Sequence, residues 1–213
     1  MANSFDITKT TNLPDMPKEM FGEIADEYRT MIVVPPIKPD QQFLLCPVGL
    51  IGAGKTTIVE PLAERLGLVR ISTDEIRKLM KQHGYNYSGV KDISYATTKL
   101  FLDQGYSVAI DGNCGTDDTQ RQIAEAVKKY NLEAIWIHIN PPEEFIINKL
   151  KNYNHTWLFE SGDEAVRSYR EYKKTHDYSN SDIPFIYTFD PSRSDVPKQL
   201  DEAEKLIKEK LTS

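Results

Sequence analysis

The 213-residue chain is poor in several features that would have placed it in common classes. It holds two cysteines, Cys46 and Cys114, which form no disulfide framework and fit a reduced, cytoplasmic setting. No Cys/His group has zinc spacing, so no zinc site is expected. No window reaches about 18 consecutive apolar residues, and the polar stretch from Met1 to Thr11 lacks the apolar centre of a signal peptide. Neither a membrane span nor an export signal is therefore expected. Basic charge is also short. Lys and Arg number 26 against 32 Asp and Glu, a net charge of −6, which leaves no global field for long nucleic acid. There is no internal repeat.

What is present reads as one domain with a leading appendage. In residues 1–42, Met1 to Leu13 is polar, and Met16, Met20, Phe21, Ile24 and Tyr28 recur at spacings of three or four, predicting one amphipathic helix over Pro14 to Thr30. Pro35, Pro36 and Pro39 form a stiff connector. From residue 43 to 213, strand and helix patterns alternate. Strands are predicted at Phe43–Val48, Leu68–Ile71, Ser107–Ile110, Ala134–Ile139 and Phe185–Phe189. Helices are predicted at Thr56–Leu66, Thr73–Gln82, Lys91–Gln104, Asp117–Tyr130, Pro142–Leu150, Glu164–Lys174 and Lys198–Leu211. Such alternation predicts an α/β fold of three layers, with a central parallel sheet of five strands and helices on both faces. Ligands then sit at the carboxyl ends of the strands.

The sharpest motif follows the first strand. Gly49-Leu50-Ile51-Gly52-Ala53-Gly54-Lys55-Thr56-Thr57 matches G-x-x-x-x-G-K-[ST] between a strand and a helix, the context that a phosphate-binding loop requires. Its glycines let successive N–H groups turn toward phosphate oxygens, and the helix N-terminus adds positive potential. Lys55 would reach the β- and γ-phosphates of ATP and the Thr56 hydroxyl would sit on Mg²⁺. A second cluster, Ile71-Ser72-Thr73-Asp74-Glu75-Ile76-Arg77, places Asp74 past the second strand with Arg77 one turn on. A carboxylate there can take the proton of a hydroxyl nucleophile, and an arginine can grip a phosphate. Ordinary capping by Ser72 or Thr73 explains the same residues more blandly.

The pairing of these two motifs resembles the P-loop kinases of the polynucleotide-kinase, zeta-toxin and small-molecule-kinase group, a group often described as AAA-type ATPases. The resemblance covers residues 43 to about 150 and implies that Asp74 is the general base and that Arg77 contacts the acceptor or phosphates. The third strand, Val108-Ala109-Ile110-Asp111-Gly112-Asn113, is similar to the group's strand ending in Asp-x-Thr-Asn, without the usual threonine. By that resemblance Asp111 lies near Mg²⁺ or the acceptor, Asn113 bonds the substrate, and Arg121 matches an arginine on the following helix. The group also closes an arginine-bearing lid over ATP. Here the lid falls at about 150–175, where Lys149 and Lys151 stand in place of arginine and Arg167 and Arg170 are the next candidates. The aromatic stretch with Tyr153, His155, Trp157 and Phe159 is either a flap or loop packing. Asn148-Lys149-Leu150-Lys151 lacks the acid that reads guanine, which argues against a GTPase. The expected activity is transfer of the γ-phosphoryl group of ATP to a hydroxyl of a small molecule or a nucleic-acid 5′ end. A nucleotide-driven ATPase switch is the alternative, and a degenerate nucleotide-binding subunit a third reading.

Overall fold

The computed structural model describes residues 11–153, 158–178 and 181–212. His155 and Trp157 of the aromatic stretch, and most of the polar segment Met1–Leu13, lie outside the described residues. Five strands, β1 (Phe43–Val48), β2 (Val69–Ser72), β3 (Val108–Asp111), β4 (Glu133–Ile139) and β5 (Phe185–Phe189), form one sheet in the order β2-β3-β1-β4-β5. Every pairing is parallel. All six residues of β1 are buried, as expected for the central strand of a sheet covered on both faces.

Right-handed crossovers dictate where the helices go. The chain moves one way along the sheet from β1 to β2 through α2 (Lys55–Leu66), and the other way through every later crossover. The helix α2 therefore lies on one face, joined there by the closing helix α8 (Val196–Leu211), which packs against α2 and β5. The opposite face carries α4 (Val90–Asp103) and α5 (Asp117–Tyr130), with α3 (Thr73–Gln82) packed on α4. Helices α6 (Glu143–Lys151) and α7 (Gly162–Thr175) pack on each other between β4 and β5. Because the connections leave β1 and β3 in opposite directions, a crevice opens between those strands at their carboxyl ends.

The N-terminal helix differs from its sequence pattern. It runs from Met20 to Thr30 as α1, and Pro14 to Glu19 is not helical. Pro17 disfavours a helical conformation at Met16 and has no N–H to donate, so the helical period there is cut short. That leading stretch instead lies along the α3–α4 connection, where Asn86 N–H donates to Pro14 O at 2.9 Å and the Asn86 amide to Asp15 at 2.6 Å. The helix packs on α3 and α4, burying Ile24, Ala25 and Tyr28. Tyr28 is fully buried; its Oη accepts from Ser72 N–H at 2.7 Å. Ser72 ends β2, an edge strand whose outward N–H groups need partners from outside the sheet.

Candidate active site

The loop between β1 and α2 is built by backbone geometry that only glycine supplies easily. Gly52 and Gly54 have φ of 77° and 94°, and a Cβ on Gly49 would come within 2.7 Å of Ile139 O. Gly54 caps α2 with no side chain bonded to the helix N–H groups, so those donors face the cleft. Lys55 Nζ curls back and donates to Gly49 O at 3.0 Å and Leu50 O at 2.9 Å. Burial lowers the Lys55 ammonium to about 8, against the opposing pull of Asp74 and Asp111. An incoming phosphate would reverse that cost by offering the ammonium a counter-charge.

Strand order brings the carboxylates to this loop. Ser72 at the end of β2 pairs in register with Asp111 at the end of β3, and β3 neighbours β1. Thr56 Oγ1 donates to Asp111 Oδ1 at 3.1 Å. Arg70, in the middle of β2, donates to Asp111 Oδ2 at 2.7 Å, pairs with Glu75 and lies 3.7 Å from Glu60. Burial raises the Asp111 carboxyl, and the Arg70 guanidinium offsets only part of that rise. Arg70 carries no known motif; the only signal in the sequence was a charge between Val69 and Ile71 in an otherwise buried strand.

The start of α3 holds the second cluster. Ser72 caps it, accepting from Glu75 N–H at 3.3 Å, and Arg77 reaches Asp74 at 2.5 Å and the Thr73 hydroxyl at 3.2 Å. Capping and the Asp74–Arg77 pair are therefore both present, and both residues line the same cleft as Lys55 and Thr56.

Asn113 is the most connected side chain of the site. Its Oδ1 accepts from Gly49 N–H at 3.3 Å and Gly115 N–H at 3.2 Å, while its Nδ2 donates to Tyr172 Oη at 2.5 Å and Tyr178 Oη at 2.6 Å. It thus ties the loop after β1 to α7. Tyr172 and Tyr178 carried no signal in the sequence, being 59 and 65 residues away.

The cleft enclosing these groups measures about 1290 Å³. Gly49, Gly52, Gly54 and Thr57 line it, whereas Ala53 is buried beneath. Arg121 stands at its edge, largely exposed and paired with Asp118. Of the four lid candidates, Lys149 lines the cleft; a Cβ on Gly54 would lie 3.7 Å from its Nζ. Lys151, Arg167 and Arg170 are exposed and do not line the cleft. Chemically, the arrangement could hold a triphosphate on the N-terminus of α2. A hard divalent ion such as Mg²⁺ fits the oxygens of Thr56 and Asp111, because both are hard donors and one is a buried carboxylate.

These features define a P-loop NTPase-like α/β fold. A family model described as AAA domain matches residues 44–172, more than half of the chain, and the chain belongs to that family. No curated protein matches. Among solved structures, the chain is similar to a putative kinase from Chloroflexus aurantiacus, with a TM-score of 0.62 at 15% identity, over 78% of this chain and 98% of that one. It is similar to a structure from the PezAT toxin-antitoxin system of Streptococcus pneumoniae, with a TM-score of 0.59 at 17% identity, over 94% and 100%. It is also similar to the APS kinase CysC of Mycobacterium tuberculosis in complex with AMPPNP and APS, with a TM-score of 0.53 at 13% identity, over 80% and 99%. At such identities these matches speak for the shared fold.

Proposed function

We propose that the chain is an ATP-dependent phosphotransferase that moves the γ-phosphoryl group to a hydroxyl of a small molecule or of a nucleic-acid 5′ end. One observation carries the reading: Asp74 with Arg77 opens on the same cleft as Lys55, Thr56 and Asp111, so a base candidate and a phosphate loop share one space. Asp74 accepts the proton of the acceptor hydroxyl as that oxygen bonds to the γ-phosphorus. The bond from the γ-phosphorus to the β–γ bridging oxygen breaks, and ADP leaves. Mg²⁺, when bound, neutralises charge on the β- and γ-phosphate oxygens.

Lys55 leaves the Gly49 and Leu50 carbonyls for the phosphates, and Lys149 adds a point charge above Gly54 as the lid contact. Arg77 holds Asp74 in place. Asn113 orients the loop and, with Arg121 at the rim, completes the acceptor side. The two free, buried cysteines suit a reduced cytoplasmic setting. Among the described residues, no helix is long and apolar enough to cross a membrane.

The test is γ-labelled ATP with Mg²⁺, offered to 5′-hydroxyl oligonucleotides, sugars and nucleosides, with Asp74→Asn alongside. Label moves to an acceptor in the wild type, and Asp74→Asn slows transfer by about 10²–10⁴-fold with ATP affinity kept. Phosphate released at equal rates in every tube, regardless of the variant, replaces the phosphotransferase with the ATPase switch.

A further inference from the structure

The acceptor end of the cleft has no surplus of positive charge. Arg77 is bound by Asp74, and Lys91 and Arg121 share Asp118. The remaining Lys78 is outnumbered by Asp117 and Asp177 in the same lining. An acceptor bearing a phosphate, sulfate or carboxylate would bring a charge that these pairs leave uncompensated, and burying such a group is costly. The walls are aromatic and apolar instead. Tyr87, Tyr153, Leu158 and Phe159 line them, with the Tyr153 and Phe159 rings meeting edge to face at 5.6 Å. Tyr87 and Tyr153 are close enough to Asp74 for its carboxylate to act on their phenols, although burial is the larger influence on both.

Next to Thr73 the cleft meets a narrow slot between α4 and α5; Thr73, Lys91, Gly112, Asn113 and Thr119 belong to both, and Lys91 is paired with Asp118. Leu44 and Ile110 from the sheet and Ile123 from α5 give the slot apolar sides. Ser94 and Thr98 from α4 and Gln122 from α5 add two hydroxyls and an amide. At about 60 Å³ it has room for about four water molecules, enough for the edge of one small ring. Hydroxyls and a primary amide both donate and accept, so they suit a ring edge that mixes the two kinds of group.

We infer that this slot grips the non-reacting part of the acceptor, and that the acceptor is an uncharged alcohol carrying a planar heterocycle, of which a nucleoside is the simplest case. The inference rests on the phosphotransfer reading only for the word acceptor; the binding site itself stands apart from turnover. Tyr95 borders the slot and gives a flat ring an aromatic neighbour there, the aromatic cleft walls remain for the rest of the acceptor, and an uncharged body needs no cation beyond those already paired.

The experiment separates the two. Protein saturated with AMPPNP and Mg²⁺, which fills the triphosphate site, is titrated calorimetrically with adenosine, guanosine, cytidine, uridine and thymidine, and with gluconate and a 5′-hydroxyl hexanucleotide as comparators. At least one nucleoside binds, and neither comparator binds as tightly. Ser94→Phe, which fills the slot, weakens that binding by at least about tenfold, as does Gln122→Leu, which keeps the volume and removes the amide. AMPPNP affinity serves as the folding control for both variants. Nucleoside binding untouched by both variants, tighter binding of gluconate or the hexanucleotide, or no nucleoside binding to a protein that holds AMPPNP would each overturn the inference. A nucleoside that binds in the slot yet takes no label from γ-labelled ATP leaves the site standing and removes phosphotransfer.

Discussion

Replacing Tyr28 with phenylalanine tests whether the N-terminal helix is part of the catalytic body. The ring is fully buried, and phenylalanine fills its place, so the change reduces to one hydroxyl. That hydroxyl accepts from Ser72 N–H at 2.7 Å, on the outer side of an edge strand where no other strand can take over. A buried N–H left without a partner costs about 1–3 kcal/mol. At this chain length about 2 kcal/mol corresponds to a fall in melting temperature of roughly 4–8 °C. The functional effect should be selective. Ser72 caps the helix that carries Asp74 and Arg77, whereas the triphosphate loop hangs on β1. Thermal denaturation read by circular dichroism gives the stability change, and steady-state kinetics with an acceptor gives the rest. We expect kcat to fall while the KM for ATP holds. A phenylalanine variant that melts within about 1 °C of the wild type would refute the argument that this contact anchors α1. A rise in the KM for ATP with kcat unchanged would refute the argument that it acts through α3.

Two further outcomes follow from the loop itself. Gly49→Ala drives a methyl group to 2.7 Å from the Ile139 carbonyl, a backbone atom that cannot swing away, so it should destabilise the fold by about 1–3 kcal/mol in a urea titration and weaken nucleotide binding together with it. Lys55 should make nucleotide affinity sensitive to alkali: free ammonium is lost as pH rises through about 8, bound phosphate requires it charged, and so the Kd for ATP measured calorimetrically should climb above that pH. Lys55→Arg keeps its charge to far higher pH and should flatten the climb. A wild-type Kd that stays level to about pH 9.5 would contradict the lowered ammonium.

The parts of this molecule that were readable in the sequence are those that depend on near neighbours. The glycine spacing before Lys55 demands positive φ at Gly52 and Gly54, and both have it. Alternating apolar segments announced the parallel sheet, and three residues of spacing sufficed to bring Arg77 to Asp74. Long-range packing was silent. Tyr28 meets Ser72 across 44 residues, and Asn113 meets Tyr172 and Tyr178 only because α7 and the residues after it return over the loop. Arg70 finds Asp111 because β2 and β3 adjoin, a fact of strand order that local pattern does not encode. The helix predicted from Pro14 begins at Met20, because Pro17 lacks an N–H and disfavours a helical Met16 whatever the apolar spacing.

The Arg70 guanidinium has one more implication. With Thr56 on one oxygen of Asp111 and Arg70 on the other, both carboxylate oxygens already hold a hydrogen-bond partner. Arg70 also serves Glu75, so a divalent cation would have to share the Asp111 carboxylate with a guanidinium that is itself divided between two acids. A cation carried in by a triphosphate would bring anionic ligands of its own and would draw less on Asp111. On the proposed reading, metal and nucleotide would enter as one unit, with Arg70 holding the Asp111 carboxylate in position until they do.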